Sequence, residues 1–252
     1  MSQVTIASTP PASRVRVPNW IQHWWAWFAL LFAVTFFSFW PSFFSAITNS
    51  ATPYVVHGFT ATSWMVLAIV QAVIIRGRWR ANHRIVGYGS LALAAATVFS
   101  GVQMIKIMVG RDPVEVADRH VAFFYVDATG LILFVALLWR AVLAARQRDI
   151  ALHLRLIACT AVVPLEAALE RLWRIVLPTQ VPDFKIAYFW SLTTLEALMV
   201  AVIASEWWFK RLRWPFPLML AYYLLMHTTS FPLATTSWFR AFALWFGGLG
   251  GL

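Results

Sequence analysis

The chain has 252 residues, of which 61% are hydrophobic and only 12% charged, and its formal net charge is +10. A water-soluble domain of this length carries roughly twice that charged fraction, so the composition excludes an aqueous globule and names lipid as the solvent. The basic excess does not point to nucleic acid, which needs a basic face on a folded aqueous domain; here the cations sit in short clusters between apolar runs.

A spanning helix needs about 20 mostly apolar residues, and the chain divides accordingly. Residues 1–22, with Arg14, Arg16 and Trp20, read as an uncleaved cytoplasmic tail. The first span, Trp24 to Ile47, opens on Trp24, Trp25 and Trp27, whose amphipathic rings suit the headgroup level. The second, Val55 to Ile75, runs into Arg76, Arg78, Arg80 and Arg84, and the third covers Ile85 to Met108. The next loop, Val109 to Arg119, balances Arg111 and Arg119 against Asp112, Glu115 and Asp118. Span four, His120 to Leu143, leads to a second cluster, Arg140, Arg146, Arg148 and Arg155. Span five, Ala151 to Val176, contains Pro164, which removes a backbone hydrogen bond and is expected to bend it. Span six, Ile186 to Trp208, ends at Lys210, Arg211 and Arg213. From Trp214 onward Pro215, Pro217 and Pro232 interrupt an apolar segment, which predicts one tilted span plus an interfacial helix, or else a re-entrant pair.

The expected fold is therefore an all-α integral membrane bundle of about seven helices: a tail at 1–22, a six-helix domain at 23–213 and a C-terminal segment at 214–252. Each basic cluster follows an even-numbered span, so the positive-inside bias places the N-terminus and all three clusters in the cytoplasm. A bacterial inner membrane is the expected location. The single cysteine, Cys159, excludes an internal disulfide and reads as a small packing residue.

Six histidines are present. His23 and His227 read as incidental interfacial residues. The other four fall one to a span, near its end: His57, His83, His120 and His153. Because neighbouring spans run in opposite directions, His57 and His120 lie at the outer side and His83 and His153 at the cytoplasmic side. Two imidazoles from facing helices can hold a haem iron, and a stacked pair of such sites would carry electrons across the bilayer.

The order and spacing of these histidines resemble those of the transmembrane dihaem b-type cytochromes, the ascorbate-reducible ferric-reductase family. That resemblance implies a four-helix histidine-bearing core, two haems b, and pairing of His57 with His120 and of His83 with His153. The segments HGFTATSWMVLAIVQAVIIRGRWRANHRIVGYG and RQRDIALHLRLIACTAVVP are also similar to a group of uncharacterised bacterial membrane proteins with a His, Gln, His-Arg and His-x-Arg pattern. This second likeness covers Tyr54 to Arg174. In the cytochromes the ligands lie inside the helices, whereas His83 and His153 sit at arginine-rich boundaries; no ascorbate motif maps onto the chain.

Acidic residues in a membrane are costly, which singles out Asp127, Glu166, Glu170 and Glu196. With Arg174 they predict a buried polar cluster, either a proton or quinone-head site or interhelical glue; Glu170 and Arg174 have the favourable i,i+4 order. His120, Asp127, Glu166 and Glu170 form an alternative metal set. Gln71 and Gln103 read as interhelical hydrogen-bonding groups. Three functions follow as expectations: a haem b protein moving electrons between a quinol or small reductant and an acceptor, a non-catalytic membrane subunit docking a larger complex through its aromatic surface, and a carboxylate/histidine metal enzyme. The expected partners are the lipid bilayer and other membrane subunits, with no nucleic acid.

Overall fold

The structure, a computed structural model, describes residues 23–110 and 117–248, and these form helices and turns with no strand. The N-terminal tail, the loop residues Arg111, Asp112 and Glu115, and the closing residues 249–252 lie outside the described residues. The helices are α1 (Trp24–Phe39), α2 (Thr52–Arg76), α3 (Arg80–Val109), α4 (Asp118–Arg146), α5 (Ile150–Val162), α6 (Leu165–Val176), α7 (Phe184–Trp208), α8 (Pro215–Ala234) and α9 (Ser237–Gly248).

Five segments are long and apolar enough to cross a membrane: Trp24–Phe44, α2, α3, α4 and α7. The fifth expected span is broken. Pro164 has no N–H to continue the ladder, and α5 and α6 meet at 45° across it, which makes a sixth crossing if the two are one bent span. The Tyr223 hydroxyl donates to the Val162 carbonyl beside the break at 3.1 Å, closing a backbone group that lipid could not satisfy. The seventh expected crossing, α8, is not among the sufficiently apolar helices; Pro232, Thr228, Thr229 and Ser230 dilute it. The short α9 follows it.

Successive spans reverse direction, with α5 and α6 taken as one bent span, so the bundle has a basic end and an opposite end. At the basic end α2, α4 and α7 each finish in the same turn. The N–H groups of Arg78, Arg148 and Lys210 bond back to the carbonyls of Ile75, Ala145 and Trp207, and those of Trp79, Asp149 and Arg211 to Ile74, Ala144 and Glu206. This two-bond closure needs a left-handed residue, usually glycine. Here the left-handed positions are cations: Arg78 (φ 63°), Arg148 (φ 62°) and Lys210 (φ 52°). Trp79, Trp207, Trp208 and Trp214 are exposed around them, and Trp40, Trp238 and Trp245 mark the other end, a pair of interfacial belts.

The largest buried cluster is not the expected histidine-bearing core. It is assembled on α4 to α8 from residues such as Leu137, Leu156, Leu192, Met219 and Met226, with Phe28 from α1, Ala68 from α2 and no residue from α3. Cys159 is buried within it, in its expected packing role. At the opposite end α9 is stitched on by Phe239 and Ala243 against Ile105, Val109 and Phe124. There the backbones of Gly110 and Gly247 approach so closely that a Cβ on Gly247 would lie 2.6 Å from the Gly110 nitrogen.

Candidate functional site

The two expected histidine pairs fare differently. His57, in the second turn of α2, faces α3: its Nδ1 shares a 3.2 Å hydrogen bond with Ser100 Oγ, which also meets Thr60 Oγ1 at 3.0 Å. A Cβ on Gly101 would lie 3.3 Å from His57 Cε1 and 3.1 Å from Leu131 Cδ2, so the His57 ring is level with Leu131 of α4. His120 lies eleven residues earlier on that helix, about 16 Å along the axis. It is turned to its own helix start, where Nδ1 accepts from the Ala117 N–H at 3.1 Å. A shared iron needs two ligand nitrogens each about 2 Å away, so the outer pair does not fit a haem. The reason is register: α4 begins well beyond the level at which α2 presents His57.

The inner pair is brought together. His83 of α3 and His153 of α5 have ring centres 6.4 Å apart with planes at 89°. His153 Nδ1 donates to the Ala141 carbonyl of α4 at 2.9 Å. That bond fixes the tautomer and leaves Nε2 with its lone pair, as a metal-bound imidazole requires. Gln71 of α2 donates to the His83 carbonyl at 3.3 Å, the interhelical role expected of it. Two buried atoms beside it, His83 Nδ1 and Gln71 Oε1, have no hydrogen-bond partner among the described residues. Orphans of this kind call for a water, an ion or a ligand. The donor set at this end is two neighbouring imidazoles, one with an orphaned ring nitrogen.

The carboxylates divide into two groups. Asp127 of α4 lies within electrostatic range of Glu166 and Arg171 on α6. Glu166, 4% exposed, accepts from the Ser191 hydroxyl of α7 at 3.1 Å. Glu170 pairs with Arg174 at 3.1 Å, as the i,i+4 spacing predicts, and with Arg171 at 3.5 Å. Glu196 stands apart from this cluster. Midway along α7, it meets His227 Nδ1 of α8 at 2.8 Å, both side chains half-buried; the imidazole expected to be incidental is its partner. No group of three His, Cys, Asp or Glu side chains among the described residues could hold a metal ion, so His120, Asp127, Glu166 and Glu170 are not assembled as a metal set.

The strongest polar contact escaped the sequence reading. Arg155, 2% exposed, is no part of a surface cluster. Its Nε and Nη2 donate to the Glu206 carboxylate of α7 at 2.7 and 2.8 Å, Nη1 to the Ala151 carbonyl at 2.8 Å, and Nη2 also to the Arg211 carbonyl at 3.2 Å. The signal was present: Leu152, Arg155, Leu156 and Cys159 follow the spacing of one buried helix face. Beside this pair, Asp149 caps α5 by accepting from the Leu152 N–H at 3.1 Å and bridges to Arg213 at 2.7 Å. The Leu152 bond, with the nearby Arg213 and Arg155 guanidinium groups, holds its carboxyl below the ordinary carboxylate range.

No family model matches the sequence, and no curated protein or solved structure matches it. The likeness to the dihaem cytochromes thus rests on histidine order and spacing alone.

Proposed function

We propose that this chain is a membrane-embedded electron carrier with a single bis-imidazole centre at its basic end, held by His83 and His153. The observation that carries this is the ring separation. Two metal–nitrogen bonds of about 2.0 Å plus the half-widths of two imidazoles place ring centres about 6.3 Å apart across one shared metal, against 6.4 Å here. The His153–Ala141 bond supports the same assignment by presenting Nε2. A haem b bound there would supply one-electron chemistry at a low-spin iron. Arg80 and Arg84 flank His83 in the sequence and supply charge for its carboxylates. One centre near one surface serves electron entry or exit on that face, from a quinol or small reductant, and does not by itself cross the bilayer. The positive-inside bias makes that face cytoplasmic, in keeping with a bacterial inner membrane.

The test is a reduced-minus-oxidised absorption spectrum of protein purified after expression with ample haem. A b-type band that disappears in His83→Ala and His153→Ala and persists in His57→Ala and His120→Ala is the expected result. A wild-type protein with neither porphyrin nor bound metal ends the proposal.

A second reading, a subunit of a larger membrane assembly, is favoured by Glu196 and His227. A partly exposed carboxylate–imidazole contact midway along its helices is costly against lipid and less so under a partner helix. Mild-detergent purification would then recover a stoichiometric membrane partner that Glu196→Ala releases.

A further inference from the structure

The α7–α8 turn and the start of α5 enclose a cleft of about 270 Å³ lined by Ala151, Arg155, Lys210, Arg211, Leu212 and Arg213. It is independent of the imidazole pair. Four cations line it, and two are neutralised: Arg155 by Glu206 and Arg213 by Asp149. Lys210 and Arg211 have no carboxylate partner among the described residues, so the cleft carries two uncompensated positive charges.

Its frame is fixed. The buried Arg155 guanidinium holds the Arg211 carbonyl at 3.2 Å, and Arg213 is pinned to the α5 cap at 2.7 Å. Lys210 occupies the left-handed position of the turn at φ 52°, a conformation that glycine adopts at lower cost. A cation stands where a residue without a side chain would be more stable, and it lines the cleft. Trp207, Trp208 and Trp214 are exposed alongside, which sets the cleft at the depth where tryptophan rings meet lipid headgroups. A fixed basic recess at that depth suits the phosphate of a lipid headgroup, the ligand that basic pockets between membrane helices take up.

We propose that this cleft binds the phosphate of an anionic phospholipid headgroup, with Lys210 and Arg211 as the charge partners and Arg155 as the strut that holds their turn open. The test uses the full chain in an uncharged detergent, with thermal unfolding followed after addition of phosphatidylglycerol, phosphatidylcholine or inorganic phosphate. Phosphatidylglycerol raises the midpoint relative to phosphatidylcholine. The Lys210→Gln/Arg211→Gln variant loses at least about half of that gain, and Arg76→Gln/Arg78→Gln, equal in charge lost but placed at the end of α2, retains it. Equal loss in both variants would make the effect a diffuse surface potential and overturn the site. So would the absence of any gain, or inorganic phosphate reproducing all of it. Native mass spectrometry of the unaltered protein provides a check that needs no variant: phosphatidylglycerol stays bound under activation that strips phosphatidylcholine, and loss of both together overturns the proposal.

Discussion

The two ends of the bundle are held by different physics. At the basic end the helices are joined by polar bonds of fixed geometry: three repeated turns, the buried Arg155–Glu206 pair and the Asp149–Arg213 bridge. At the opposite end, among the described residues, α9 is held by apolar packing and close backbone approach, with an ion pair between Asp118 and Arg240 at 3.1 Å. Hydrocarbon offers no hydrophobic drive between helices, so polar bonds specify the arrangement at the basic end and the seat of α9 depends on small residues fitting closely.

The largest effect is expected where a buried charge loses its partner. Glu206→Ala leaves the Arg155 guanidinium uncompensated and should destabilise the protein by about 3–5 kcal/mol in detergent unfolding, whereas Arg155→Leu with Glu206→Leu should recover most of that loss. If the single and double variants lose equally, the basic end is held by packing, as the other end is. Next comes Gly247→Ala, whose Cβ meets backbone of Gly110; forced separation of α9 from α3 should cost about 1–3 kcal/mol by the same measurement. A neutral result would show that α9 is loosely seated.

The bundle was legible in the sequence because apolar runs of spanning length and clustered cations are one-dimensional signals. The Pro164 break was legible for the same reason. The site was only partly so: alternation of helix direction put His83 with His153, but said nothing of axial register, and that is what separates His57 from His120. Glu206 and His227 looked unremarkable because their partners lie 51 and 31 residues away in the chain, beyond the reach of any local pattern.

Smaller effects sharpen the contrast. Arg148→Gly relieves a left-handed arginine and should stabilise the fold by about 1 kcal/mol, a gain with no counterpart at the apolar end. Acid should loosen the basic end first. Asp149 titrates below its unfolded value, so its contribution is complete above the ordinary carboxylate range and fades as pH falls through the depressed pKa. The midpoint of wild type should therefore drop on acidification while that of Asp149→Asn drops less; parallel curves would remove Asp149 from the account.

The reversals at the basic end are short, with three residues from 77 to 79, three from 147 to 149 and six from 209 to 214. Such connections rise no higher than the surrounding lipid phosphates, so among the described residues the turns at this end form a nearly flush surface. A ligand that reaches these turns meets them at the level of the bilayer surface, where lipids and membrane-borne proteins already reside.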